Sequence, residues 1–329
     1  MLKIGSHMKF LLFFLTCILS CAINAQQVNE SVFVNSSDTK LYLEVIGKDK
    51  SKPLLLHLHG GPGNVVLGVL PFQTNVGKQL EEEFLVAYLH QRGAGKSLPV
   101  PGETQTIENH VNDVAEVIEY LKKKYAKDKV HLSGHSWGGM LAALYTKENE
   151  QNINKLILIS TGLNVKKLLY ESYLSTLDWA EKTKNETALK ELDKIRMSPH
   201  ANQNQLVLSR WSNQAGGGII RNFNVEQFLK DNNVEKIYSN WGGSQFEIRN
   251  AMYEEFVRID LDKNIGAFRV PALFIAGGRD TITPVSMMKR DFELYRGYKE
   301  FAVLESSHHL PFIDEPDSLA RKMIIFLKQ

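Results

Sequence analysis

Four short runs in the first half of the chain are apolar almost without interruption: residues 53–60 (PLLLHLHG), 84–90 (FLVAYLH), 129–133 (KVHLS) and 155–160 (KLILIS). Runs of this length that stay apolar throughout are expected of strands covered on both faces, as in a parallel sheet packed between helices. Ahead of them, SVFVN and KLYLEVIG flank the polar turn Ser36-Ser37-Asp38, which predicts an opening hairpin over residues 31–47. Between the second and third runs, Ile107, Val111, Val114, Ile118 and Leu121 recur at steps of four and three. That spacing predicts a helix with one buried stripe and its Lys and Glu residues outside. The alternation predicts an α/β fold, with a mostly parallel central sheet flanked by helices.

The pattern breaks from Leu163 to Gly266. Amphipathic stretches and the Gly-rich loops SNQAGGGII and NWGGSQ replace strand character, which returns in RVPALFIAGG (269–278) and KEFAVLE (299–305). PDSLARKMIIFLKQ then closes the chain as a helix with Pro316 near its start. The expected organisation is a core formed by residues 26–162 and 267–329, with residues 163–266 inserted as a helical cap. Such an insertion is placed to act as a lid over a site at the strand ends.

Composition narrows the function classes. Lys plus Arg number 39 against 37 Asp plus Glu, so no strong field favours nucleic acid or an anionic membrane. Residues 5–8 (GSHM) look like an expression-vector scar within a vector-derived stretch, residues 1–8, that runs up to Met8, which is then the native start. The following MKFLLFFLTCILSCAINAQQ has a lysine, an apolar run and small residues near Ala25, the pattern of a secretory signal peptide over residues 1–25. Export to the periplasm or the extracellular space is therefore expected. Cys17 and Cys21 are the two cysteines of the chain and both lie in this segment, so cleavage after Ala25 leaves no thiol or disulfide. It also removes Lys3 and Lys9 and no acid, leaving a formal net charge of zero. ILSC resembles a bacterial lipoprotein box, the alternative in which Cys21 carries a lipid anchor; an uncleaved anchor is the third reading.

The chemistry centres on Gly134-His135-Ser136-Trp137-Gly138, a G-x-S-x-G pattern between an expected strand and the helix WGGMLAALYTK. Small flanking residues permit the tight turn that lifts a serine out of a sheet. A serine hydroxyl needs a base to take its proton and a third group to orient that base. Asp280 follows the strand LFIAGG, and His308-His309 follow the strand FAVLE, giving the chain order Ser, Asp, His. The glycines of HGGPG (59–63) allow backbone N–H groups to approach a substrate oxygen, and the N–H groups of Gly61 and Trp137 are the expected oxyanion hole. No His or carboxylate spacing resembles a zinc motif, so no metal or cofactor is expected. His57, His131 and His135 read as packed neighbours of the sheet, and Arg92 as a tie for its own loop.

Together, HGGPG, QRGAGKS (91–97), GHSWGG (134–139), GGRD (277–280) and HLPFIDEP (309–316) resemble the α/β-hydrolase fold family, and within it the serine hydrolases of the proline iminopeptidase type. The resemblance implies Ser136 as nucleophile, Asp280 as orienting acid and His309, rather than His308, as base. It implies hydrolysis of a short peptide or amino-acid amide with N-terminal proline. A carboxylesterase or lactonase uses the same catalytic parts, and a non-catalytic binding module on the same fold is the rival of a different class. Two departures stand out. His90 precedes Gln91 where the family often has Asp, and the Trp-Glu pair near the glutamates that hold the substrate's free amine is missing. Glu247 is the first candidate for that amine and Trp211 a candidate substrate contact, while Glu254 and Glu255 have no assigned place. Trp179, Trp211 and Trp241 otherwise read as cap core.

Overall fold

The structure, a computed structural model, describes residues 27–216, 224–231 and 247–329. Residues 1–26, with both cysteines and the expected signal segment, and residues 232–246, with Trp241 and all of NWGGSQ, lie outside the described residues.

Eight strands form one sheet: β1 (Val28–Ser36), β2 (Thr39–Gly47), β3 (Leu54–Leu58), β4 (Leu85–Leu89), β5 (Val130–His135), β6 (Ile153–Ile159), β7 (Ala272–Gly277) and β8 (Lys299–Leu304). Their order is β1-β2-β4-β3-β5-β6-β7-β8. β1 pairs with β2 and β2 with β4 in antiparallel fashion, and every later pairing is parallel. The apolar runs behave as their composition requires: every residue of β3, β4, β5 and β7 is buried. The opening hairpin is longer than its sequence suggests and turns through Ser37 and Asp38.

Helix α1 (Ile107–Tyr125) begins where the Thr106 side chain accepts the Asn109 N–H at 3.1 Å, a side-chain cap for an otherwise unpaired donor. Its buried face is rotated from the expected stripe. His110, Asp113, Val114, Val117, Ile118 and Leu121 are buried, while Ile107 and Val111 are only partly so. The cause is Arg92. Its buried guanidinium meets Asp113 through two bonds, Nε to Oδ2 at 2.7 Å and Nη2 to Oδ1 at 2.8 Å. It also reaches Asp38 at 3.2 Å and the Thr104 carbonyl at 3.0 Å. Arg92 thus ties its loop to a helix and to the first hairpin turn. Removing one member of such a pair strands the other charge, at a cost of about 3–5 kcal/mol.

Helix α2 (Trp137–Asn149) leaves the end of β5 and is buried on most sides, which fits its low polarity. After β6, the described chain runs through α3 (Val165–Lys182), α4 (Glu186–Ile195), α5 (Gln205–Gln214) and α6 (Val225–Asp231) before it returns to β7. Tyr173, Ala180, Ala188, Leu192, Ile195, Leu208 and Trp211 form a small core of their own in this region. Its two ends are clasped together: Leu261 N–H donates to Leu163 O at 2.9 Å, Val165 N–H to Ile259 O at 3.0 Å, and Asn164 bridges Asp260. Asp291, on α7 (Val285–Leu294), accepts the Leu163 N–H at 2.7 Å and holds the clasp on the core. The sequence pattern does not single out α7. Helix α8 (Pro316–Lys328) closes the chain.

Candidate active site

Ser136 occupies the corner between β5 and α2 with φ +53° and ψ −120°. This is a region that side chains other than glycine rarely occupy, and holding it costs about 1–3 kcal/mol. The corner survives because its surroundings leave it no alternative. Ser136 N–H donates to Ile159 O at 2.9 Å, and Thr161 Oγ1 donates to Ser136 O at 2.7 Å. A Cβ at Gly134 would overlap the Gly138 carbonyl, and one at Gly138 would overlap the Leu58 carbonyl. Both glycines are therefore required by close backbone approach.

Ser136 Oγ lies 3.0 Å from His309 Nε2, and His309 Nδ1 lies 2.8 Å from Asp280 Oδ2. Asp280 Oδ1 accepts the N–H groups of Ile282 and Thr283, both at 2.8 Å, so the carboxylate is fixed from both sides. His135 Nε2–H donates to the His309 carbonyl at 2.7 Å, which holds the main chain of His309. His308 takes no part: its N–H donates to Asp314 Oδ2 at 2.7 Å and its ring turns to the same carboxylate. The geometry can pass a proton from a serine hydroxyl to an imidazole whose other nitrogen is held by a buried carboxylate.

Gly61, Ser136, Trp137 and His309 line one cavity of about 350 Å³. Gly61 has φ +134°, which glycine accepts without strain. The Trp137 N–H is in the first turn of α2, where no helical carbonyl can reach it. Gln91 joins the two segments. It accepts the Trp137 Nε1–H at 2.7 Å, and its own side-chain N–H donates to His59 O at 2.8 Å. Leu168, Leu208 and Ser212, from the segment between β6 and β7, also line the cavity. That segment rests on the loop that follows Asp280: Ser172 Oγ donates to Thr281 O at 2.7 Å, and Thr281 Oγ1 donates to Ser212 O at 2.8 Å.

The residues expected to hold substrate are elsewhere. Trp211 is buried in the small cap core, where its Nε1–H donates to Glu191 Oε2 at 2.8 Å, and it does not line the cavity. Trp179 packs partly buried against the same cluster. Glu247 is exposed and outside the cavity lining. Glu255 accepts the Ile107 N–H at 2.8 Å and caps α1 instead. No aspartate or glutamate among the described residues lines the cavity. The charged side chain that does is Arg249, which nothing in the local sequence EIRN marks out. Among the described residues, no group of three or more His, Cys, Asp or Glu is arranged to hold a metal ion. None of their helices is long and apolar enough to cross a membrane.

The profile of the hydrolase family described as serine aminopeptidase, S33, matches residues 72–316. The chain belongs to that family. Its α/β-hydrolase fold is shared with a proline iminopeptidase structure from Mycobacterium smegmatis, at a TM-score of 0.65 and 18% identity over 91% of this chain and 98% of the other. Among curated relatives of this S33 member, a "Probable aminopeptidase YbaC" of Bacillus subtilis (strain 168) is 28% identical over 298 residues, 87% of this chain and 92% of the relative. A proline iminopeptidase of Clostridioides difficile (strain 630) is 27% identical over 303 residues, 88% of this chain and 94% of the relative.

Proposed function

We propose that this hydrolase is a serine enzyme acting on small acyl substrates, and an aminopeptidase releasing the N-terminal residue, proline first, from short peptides. The observation that carries the chemistry is the continuous contact Ser136–His309–Asp280, at 3.0 and 2.8 Å, opening into a cavity under the cap. Ser136 Oγ attacks the carbonyl carbon while His309 Nε2 takes its proton, and the N–H groups of Gly61 and Trp137 receive the negative charge on oxygen. Collapse of the tetrahedral intermediate breaks the scissile bond, and His309 returns the proton to the leaving amine. Water then enters, gives a proton to His309 and attacks the acyl-enzyme. The acid departs and Ser136 regains its proton.

The aminopeptidase reading is supported by the family and by the names of the curated relatives. Leu67, Met140, Leu208, Phe256 and Ile282 give the cavity an apolar lining suited to a proline ring. One observation favours a carboxylesterase or lactonase instead: the described cavity lining offers no carboxylate to a substrate ammonium group. Rates on a proline arylamide, other aminoacyl arylamides and short-chain aryl esters decide between them. Arylamide turnover that requires a free amine supports the aminopeptidase, and turnover of esters alone supports the second reading. We further propose that residues 1–25 direct export, which N-terminal sequencing of the protein from its native host tests.

A further inference from the structure

Arg249 stands in a short helical stretch, residues 247–251, between two residues fixed in the core, Ile248 and Met252. Its neighbours therefore anchor the backbone while its side chain lines the cavity that contains Ser136. A guanidinium carries five N–H donors in a planar fork. Among the described residues, no hydrogen bond and no ion pair engages any of them. The contrast with Arg92 is sharp: that buried arginine has Asp113, Asp38 and the Thr104 carbonyl. Arg290 and Arg210 likewise meet Asp262 and Glu191.

The other titratable groups lining the cavity are His135 and His309. Burial pushes the His135 ring well below the ordinary histidine range, so it is neutral at physiological pH. Arg249 is then the permanent charge among the described lining residues, in surroundings that are otherwise apolar or neutral. Burial also disfavours its charged form relative to an ordinary arginine. A cation held in this way is costly unless an anion of matching shape arrives to meet it.

We propose that Arg249 is a specificity-determining residue that binds a carboxylate of the substrate. The inference rests on the serine-hydrolase reading and narrows its substrate class to molecules with an apolar body and one carboxylate. Two sources share that chemistry. In a dipeptide or tripeptide the carboxylate is the C-terminus, on the leaving side of the scissile bond. In an acidic acyl compound it belongs to the acyl side. Either way, a free ammonium group does not face Arg249, because the two charges repel.

Three matched pairs test the proposal. The first is a prolyl dipeptide with a free C-terminus against its C-terminal amide. The second is the aryl half-ester of a short dicarboxylic acid against the aryl ester of the equally long neutral acid. The third is an aryl phosphonate ending in a carboxylate against the same phosphonate ending in a primary amide, read as inactivation of the enzyme without need of turnover. The carboxylate member of at least one pair should be favoured about ten- to a hundredfold in kcat/KM or inactivation rate, the range of a charge-assisted hydrogen-bonded pair. The preference should fall close to one in Arg249→Gln and be partly retained in Arg249→Lys, with melting temperatures confirming that both variants fold. The first pair responding alone identifies the peptide C-terminus, and the second alone identifies an acyl carboxylate. Equal rates within all three pairs in the wild type, or a preference that survives Arg249→Gln, overturn the proposal. Failure of both phosphonates to label Ser136, with no turnover of any substrate, instead overturns the serine-hydrolase reading beneath it.

Discussion

The indole N–H of Trp137 donates to the Gln91 side-chain oxygen at 2.7 Å, while the amide of the same glutamine donates to the His59 carbonyl at 2.8 Å. One side chain therefore sets the spacing between the loop carrying Gly61 and the helix carrying Trp137. An oxyanion site works only if its donors are already in place when charge develops. Gln91→Leu is expected to lower kcat about tenfold or more while changing KM little, a positioning effect smaller than loss of a donor itself. Gln91→Glu, which keeps the acceptor and loses the donor to His59 O, should fall between. A change confined to KM, with kcat intact, would remove Gln91 from this role.

Ser136 combines a proposed chemical role with a strained backbone, and two substitutions separate them. Ser136→Ala should remove activity by about a million-fold and leave the strain in place, whereas Ser136→Gly should be equally inactive and relieve it. The glycine variant is expected to melt at a higher temperature than the alanine variant in spite of glycine's greater freedom when unfolded. A glycine variant melting well below the alanine variant would mean that the corner is held without significant cost, because only glycine's added freedom of about 0.4–1 kcal/mol would then show.

The adjacent histidines have different partners, and their variants should differ accordingly. His309→Ala is expected to abolish turnover because it breaks both the Ser136 and the Asp280 contact. His308→Ala should keep most of it, since that residue meets Asp314. Steady-state rates of the two purified variants check this, and equal losses would contradict the assignment of the base.

Acid should destabilise the fold from about pH 6.5 downward. Burial pushes His57, His90 and His110 down to about 3, and His59 and His131 down to about 4. The unfolded chain takes up protons at these residues below pH 6.5, and the folded chain does not until pH 3–4. Stability therefore falls as pH drops through that window, by up to about 1.4 kcal/mol per pH unit for each histidine. Asp291 opposes the trend. Its carboxyl is pushed up to about 7 by burial, so the folded state holds a proton there that the unfolded state releases above pH 4. Burial also raises the carboxyls of Glu81, Asp113 and Asp314, which act in the same sense as Asp291, but His135, held well below the ordinary range, joins the other five histidines. The histidines dominate, and the melting temperature should drop by more than about 10 °C between pH 7 and pH 5. A melting temperature constant over that range would show that the histidines are not buried as described.

The sheet could be read in the sequence because strands buried on both faces are apolar apart from a few residues such as His57, His131 and Ser133, and carry no charged side chain in β3, β4, β5 or β7. The elbow could be read because close backbone approach forces glycine at 134 and 138. The face of α1 could not, since its polar burial at Asp113 depends on Arg92, more than twenty residues away and on another element. Substrate contacts were the least legible part. Glu247 looked suitable from its Gly-rich and aromatic neighbours, yet whether a cap side chain reaches the cavity depends on helix packing that short motifs do not encode. Arg249, two positions further on, has the same short-range setting and lines the cavity. Trp211 was equally ambiguous until its partner Glu191, on α4, was in view.

The clasp between Leu163 and Leu261 makes the cap a branch closed at its own base. To the sheet, the whole excursion is a short link between β6 and β7, whatever its length. Because the entropic cost of such a closed loop rises only with the logarithm of its length, about 0.6 kcal/mol for each doubling, residues can be gained, lost or exchanged beyond the clasp with little penalty to the core. The corner of Ser136 has no such freedom. Selection can thus rewrite what the cavity accepts without touching how the bond is broken, and a chain of this design inherits its chemistry and its substrate as two separable traits.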